Sequence, residues 1–127
     1  MDNAGLILAL SLWCFAACQN ISVEEIEGSW KAIKVLDEGD SIAVDLSVAT
    51  LSLASDQTFN YQLTTREHLY GSYQIKSDLL QLHCENPPDT IRVQILELTP
   101  EEMLLRMNHD GIERKITLIR RSPAEIN

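Results

Sequence analysis

The stretch Gly28-Ser29-Trp30-Lys31-Ala32-Ile33-Lys34-Val35-Leu36 decides the fold, because from Trp30 onward apolar residues recur with a period of two. A period of two is typical of a strand with one buried face, whereas an amphipathic helix repeats every 3.6 residues. After Glu27 we find no run of ten or more residues with helical periodicity. The sequence therefore predicts an all-β domain that begins at Gly28.

The pattern divides into eight short strands separated by turn residues. Such spacing indicates an all-β barrel or sandwich, and consecutive hairpin links favour an up-and-down meander over Greek-key crossings. Closing the meander removes exposed edges, so we expect an antiparallel up-and-down barrel spanning 28–121. Leu96 interrupts the alternation and predicts a slip in register, and Gly71 predicts a bulge or a sharp bend. Residues 41–47 are ambiguous and are expected to form a long loop. The predicted strands are Ser29–Leu36, Ala49–Ala54, Thr58–Thr64, Tyr70–Lys76, Leu79–Cys84, Thr90–Leu98, Met103–Asn108 and Ile112–Arg120.

The interior of such a barrel is either filled or hollow. A barrel of about eight strands is only just wide enough to be packed by its own side chains or to hold one small ligand. Alternation places a bulky apolar set on the inward face, so both outcomes stay open at this point. If there is a cavity, we expect its lining to include Phe59, Tyr61, Leu63, Tyr73, Leu82, Met103 and Leu105.

The segment before the barrel is predicted to be a leader and a tether. Leu6–Ala17 is an apolar run of about 18 Å as a helix, which suits a signal peptide over residues 1–17 better than a membrane span of about 30 Å. Phe15-Ala16-Ala17-Cys18 resembles a bacterial lipobox, which implies that Cys18 is acylated and anchors the chain. The alternatives are an ordinary secretory signal or a buried helix. In the tether, 18–27, Ser22 and Glu25 form a capping-box pattern for one helical turn.

Composition and motifs argue against several functional classes. The net charge of −9 repels phosphate backbones, so we expect no nucleic-acid partner. Once Cys18 is acylated, Cys84 has no disulfide partner and is expected to be a core residue. The chain has three histidines, at positions 68, 83 and 109, without metal-ligand spacing, and it carries no nucleophile motif or phosphate loop. We therefore expect no enzyme activity, no cofactor and no metal, and a loose tail over 122–127.

Gly28-Ser29-Trp30 resembles the Gly-x-Trp motif at the first strand of lipocalins. The order of several short sequence motifs along the chain resembles that in small lipocalin-like (calycin-type) lipoproteins of the Bacteroidetes kind. That resemblance implies that a basic residue after the last strand crosses the tryptophan at the closed end, and alternation favours Arg120 over Arg121 for this role. The other motifs on which the resemblance to lipocalins rests are Leu53–Phe59, Gly71-Ser72-Tyr73, Leu79–Leu82 and Ile116–Arg121.

The expected function follows from the barrel and the anchor. We expect a lipid-anchored protein of the cell envelope, at the outer membrane, that binds a small hydrophobic ligand in the mouth opposite Trp30 without catalysing a reaction. Its membrane contact would be the acylated Cys18. The alternative is a solid-core barrel that acts as a protein–protein interaction or inhibitor module for an envelope partner. The two hypotheses differ in whether the barrel is empty or filled.

Overall fold

The structure is a computed structural model that describes residues 20–42, 45–64, 66–85, 87–109 and 111–121. The predicted signal peptide, the lipidation site Cys18 and the tail 122–127 lie outside the described residues. Within the described part of the chain, no helix is long and apolar enough to cross a membrane.

An antiparallel sheet with up-and-down strand order closes on itself through pairing of its first and last strands, β1 and β9. Eight strands form the barrel, as predicted, and the two-residue strand β2 extends β1 at one edge. One helical turn, α1, spans Val23–Ile26. The strands are β1 Gly28–Asp37, β2 Asp40–Ser41, β3 Thr50–Leu53, β4 Thr58–Gln62, β5 His68–Lys76, β6 Leu79–Glu85, β7 Pro88–Leu98, β8 Glu102–His109 and β9 Ile112–Arg120.

The predicted strand boundaries agree with the observed ones to within two residues, and those of β9 are identical. The slip expected at Leu96 is confirmed, because the β7–β8 register shifts between Ile95 and Glu97. A second shift, between Ala32 and Lys34 of β1, was not expected and turns Ile33 out to solvent. Such irregularities bend a strand and help a sheet close.

Gly71 does not form a bulge, because the β4–β5 and β5–β6 pairings both continue through it without a register shift. A side chain at this position would collide with the backbone carbonyl of His83 on β6. The glycine therefore allows β5 and β6 to approach closely at a strongly twisted point of the barrel.

The core lies inside the barrel and is continuous from end to end. Trp30, Leu80, Val93 and Met103 are completely buried, and α1 adds Ile26 beneath the barrel. The helical turn begins as predicted: the Glu25 carboxylate accepts a hydrogen bond of 2.9 Å from the Ser22 backbone N–H. Because one face of each of the eight barrel strands is apolar, closure removes that face from water and leaves no exposed sheet edge along most of the barrel.

Candidate functional site

One end of the barrel is closed by the tether. Ile21 and Ile26 are buried there, and the backbone N–H of Ile21 donates to Ser77 O at 3.0 Å. The indole Nε1 of Trp30 donates to Ile26 O at 2.9 Å, so the buried indole has a partner and α1 is held against it. In the described part of the chain, buried Ile21, Ile26 and Trp30 fill the interior at this end. A pocket of about 380 Å³ lies outside them, between α1 and the β7–β8 turn.

Arg120 holds the closed end together. Its guanidinium lies over the Trp30 ring, with the central carbon 4.2 Å from the ring centroid. The same group donates to three backbone carbonyls: Nη1 to Glu27 at 2.6 Å, Nη2 to Glu25 at 2.9 Å and Nε to Pro100 at 2.7 Å. The Glu25 and Glu27 carbonyls lie at the end of α1, where helix carbonyls lack internal partners. Arg120 therefore joins the tether, the β7–β8 turn and the barrel.

Gly28 leaves room for this arginine. A Cβ at position 28 would lie 2.6 Å from Arg120 Nη1, and the backbone has φ +129°, which L side chains rarely adopt. The glycine of the Gly-x-Trp pattern is thus required by the residue that covers the tryptophan. Arg121, the rejected alternative, instead points its Nη1 toward Ser29 Oγ at 3.5 Å.

The middle of the barrel is packed with side chains. All seven residues predicted to line a cavity belong to the buried core, and each exposes at most 7% of its surface. The Tyr73 hydroxyl donates to Ala54 O at 2.7 Å, which satisfies it without a ligand. Whether any of the seven contacts a ligand remains a prediction.

The opposite end of the barrel carries an open pocket of about 570 Å³. Its inner wall is apolar and comes from Leu69, Cys84 and Ile91, and burial, followed by the nearby charge of Asp89, raises the pKa of the Cys84 thiol. The rim is polar and includes Arg92 and Asn108. The volume falls within the range of about 300–1,000 Å³ that is common for small-molecule sites.

The pocket lies where two neighbouring strands separate. The β7–β8 ladder ends at the pair Val93 and Met107. Beyond it, Pro88–Arg92 continues as a strand but pairs only with β6. The side chains of Ile91 and Asn108 border the resulting gap. Neither the gap nor the pocket could be derived from periodicity, because a strand pattern does not show where a ladder ends.

A polar cluster occupies the interior near this same end. We call Asp37, Tyr61, Glu67 and Arg114 the Arg114 cluster. Arg114, although charged, exposes only 8% of its surface. It makes a two-pronged ion pair with Asp37, from Nε to Oδ1 at 2.8 Å and from Nη2 to Oδ2 at 3.1 Å. A longer contact of 3.5 Å joins Nη1 to Glu67 Oε2. The pairing with Asp37 raises the pKa of Arg114, which therefore stays charged.

The Tyr61 hydroxyl is the polar atom of this cluster that lacks a partner. Among the described side chains, it is the one buried polar atom with no hydrogen-bond partner. Burial, then the charge of Glu67, raises the pKa of Tyr61 to about 12, although the Arg114 guanidinium beside it acts in the opposite direction. The two groups are thus close without forming an aligned hydrogen bond. At neutral pH the phenol keeps its proton and is a donor without an acceptor.

Our sequence analysis missed Arg114 although the signal was present. Arg114 has the same parity along β9 as Ile116 and Leu118, which are buried, and as Arg120. We had assigned that face as inward but had not considered the arginine on it. Its ion-pair partners Asp37 and Glu67 and its neighbour Tyr61 lie 77, 47 and 53 residues away in the chain, so no local pattern connects them.

The two histidines whose side chains the structure describes have different neighbours. His68 is exposed and lies 2.9 Å from Asn60 Oδ1, and His83 is half-buried beside Thr90. The side chain of His109 lies outside the described residues. Among the side chains that the structure describes, no group of three metal-binding residues occurs.

Neither a scan against protein-family models nor a comparison with curated proteins gives a match to this chain. The closed eight-stranded antiparallel barrel is compatible with a lipocalin-like fold. Functional arguments for this chain therefore rest on its own residues.

Proposed function

We propose that this protein is a lipocalin-like binding protein that holds a small hydrophobic molecule at the end of the barrel opposite Trp30, without enzymatic activity. The observation that supports this most is the open pocket of about 570 Å³ with its apolar inner wall of Leu69, Cys84 and Ile91. Concave sites with an apolar wall and a few polar groups are typical of ligand binding. The closed end is sealed by Trp30 and Arg120, so a ligand would reach the barrel from the pocket side only.

Native mass spectrometry of the full chain purified from its own cells tests this proposal. We expect a reproducible added mass that organic extraction removes, whereas a covalent acyl group would survive extraction. Leu69→Glu would place a charge on the inner wall and should abolish the added mass. Leu104→Glu, on a half-buried position of β8 outside the pocket, is the control. A bare polypeptide mass that stays unchanged after incubation with long-chain alcohols and ketones would refute the proposal.

We further propose that the protein is anchored in the bacterial cell envelope, at the outer membrane, through acylated Cys18. The support is the apolar run Leu6–Ala17 and the lipobox-like Phe15–Cys18. Two or more acyl chains, at about 0.8 kcal/mol per buried CH₂, are sufficient for stable attachment. Cys18→Ala should release the protein from the membrane fraction or leave a precursor that retains its leader. Cys84→Ala is the matched control, and equal fractionation of both variants would contradict lipidation.

A second function is supported by a different observation. The middle of the barrel is filled, with the seven predicted lining residues each at most 7% exposed. A solid barrel would act through its surface, as a protein–protein interaction or inhibitor module for an envelope partner. The outer face of β1 and β9 carries exposed Ile33 and Ile119, which suit such a contact. Loss of partner capture by Ile33→Ser, with the ligand mass unchanged, would favour this alternative.

A further inference from the structure

We propose that the Arg114 cluster recognises a neutral oxygen of the ligand, a carbonyl or a hydroxyl group, through the Tyr61 hydroxyl and the Arg114 guanidinium. This inference rests on the proposed binding function and specifies its ligand class. The ligand would be an apolar molecule with one uncharged oxygen, such as a long-chain alcohol or ketone. Its apolar part would lie in the pocket and its oxygen would reach the cluster.

The unpartnered Tyr61 hydroxyl is the first observation that indicates a ligand. Tyr61 exposes 7% of its surface, and among the described side chains its hydroxyl has no hydrogen-bond partner. Buried polar groups in folded proteins almost always have a partner, because removing a hydroxyl from water without a replacement bond is unfavourable. Tyr73 provides the contrast, since its hydroxyl is satisfied by Ala54 O at 2.7 Å. The Tyr61 hydroxyl is therefore available to an acceptor that the described part of the chain does not supply.

The cluster contains donors that its own contacts do not use. The contacts with Asp37 and Glu67 use three of the five N–H groups of Arg114. Two N–H groups of the guanidinium and the O–H of Tyr61 remain as donors for a ligand oxygen. A carbonyl or hydroxyl oxygen has two lone pairs, so it could accept from the Tyr61 O–H and from one Arg114 N–H together.

The charge of the cluster selects a neutral ligand. Two carboxylates and one guanidinium give the cluster a formal charge of −1. A ligand carboxylate would be a third negative charge in a buried site, and its desolvation would be poorly compensated. A ligand ammonium has no lone pair and so could not accept from the Tyr61 O–H or the Arg114 N–H groups. An uncharged oxygen accepts these hydrogen bonds without adding charge.

Glu67 is the more exposed of the two carboxylates in the cluster, at 24% against 19% for Asp37. It lies on the turn between β4 and β5, where the Leu63 backbone N–H donates to Glu67 O at 3.2 Å and the Thr64 hydroxyl accepts from the Glu67 N–H at 3.0 Å. Tyr61 pairs across the strands with Leu69 of the pocket wall. A ligand in the pocket would thus extend past Leu69 to the Tyr61 hydroxyl while both carboxylates stay on Arg114.

The test compares four ten-carbon probes on the full chain by titration calorimetry: decane, 1-decanol, 2-decanone and decanoic acid. We expect the alcohol and the ketone to bind more tightly than decane and decanoic acid. Tyr61→Phe removes only the hydroxyl and should weaken the alcohol and the ketone by about three- to tenfold while leaving decane unchanged. Tyr70→Phe removes a hydroxyl on the exposed outer face of β5 and is the matched control, with unchanged affinity for all four probes.

Each contrary result has a separate meaning. Equal affinities of the wild type and Tyr61→Phe for the alcohol and the ketone would overturn this inference and leave the proposed binding function intact. Tightest binding of decanoic acid would likewise overturn the neutral-oxygen class. If none of the four probes binds, decane included, the proposed function itself fails and this inference with it. Because Tyr61→Phe deletes no hydrogen bond of the chain, the variant is expected to fold.

Discussion

Replacing Arg120 by methionine tests whether one side chain closes the barrel. Methionine keeps an apolar stem over Trp30 but removes the guanidinium, which makes three hydrogen bonds to backbone carbonyls and stacks on the indole at 4.2 Å. The partly buried bond to Glu27 contributes about 1.5 kcal/mol, and the two exposed bonds about 0.5–1 kcal/mol each. The stacking adds about 1 kcal/mol. We therefore expect a loss of about 3.5–4.5 kcal/mol in the free energy of unfolding.

Urea denaturation followed by far-UV circular dichroism measures this loss. The matched control is Arg92→Met, which removes the same charge from an exposed position of β7 and should change stability by less than about 0.5 kcal/mol. Hydrogen exchange gives a local measurement, since the Trp30 indole proton is bonded to Ile26 O. The Trp30 indole proton should lose its protection from exchange in Arg120→Met and keep it in Arg92→Met. Equal stabilities of the two variants would refute the inference that Arg120 clamps the tether to the barrel.

Three further predictions concern single side chains. Gly28→Ala should destabilise the protein by about 2 kcal/mol or more, because a Cβ meets Arg120 Nη1 at a positive φ, whereas Gly39→Ala, with open space around it, should cost about 1 kcal/mol in the same urea assay. Tyr73→Phe should cost about 1 kcal/mol through its lost bond to Ala54 O, while Tyr61→Phe should cost nothing, and a larger loss for Tyr61→Phe would contradict its lack of a partner. Burial raises the pKa of Tyr61 from 10.0 in the unfolded chain to about 12 in the folded chain, so a rise in pH from 10 to 12 should lower the free energy of unfolding of the wild type by about 2–3 kcal/mol. Unfolding titrations should show that Tyr61→Phe lacks this part of the alkaline loss.

The sign of the alkaline effect follows from which form of Tyr61 each state favours. Below pH 10 both states carry a neutral phenol, and its contribution to stability is fully present. Above pH 10 the unfolded chain ionises first, since burial keeps the phenol of the folded chain protonated up to about pH 12. Ionisation therefore stabilises the unfolded state relative to the folded state, and the free energy of unfolding falls across this range.

The strands and their order could be predicted because they depend on local patterns. Alternation between polar and apolar residues defined β9 at Ile112–Arg120 without error, and turn residues separated the strands before it. The slip near Leu96 was visible as a break in the alternation. The short strand β2 was missed, because two residues next to the turn at Glu38-Gly39 are too few to show a period.

The sites at the two ends could be predicted only in part. Trp30 and Arg120 were paired from a resemblance, but the bonds from Arg120 to Glu25, Glu27 and Pro100 depend on where the tether and the β7–β8 turn meet in space. A ligand site was expected in the mouth opposite Trp30, with seven large inward residues as its lining if the barrel held a cavity. The pocket at that end of the barrel is bordered by Leu69, Cys84 and Ile91, where β7 leaves β8, and these three were not among the seven.

The sequence by itself determined an all-β chain of eight strands in up-and-down order, because the face of each residue follows from its parity along a strand. Only the tertiary structure decided which inward side chains meet and how much space they leave. Parity says that Tyr61 and Arg114 point inward, but their proximity to Asp37 and Glu67 requires the closure of β9 onto β1. Closure is a property of the whole sheet, so the filled middle, the open pocket and the unpartnered hydroxyl arise together from it.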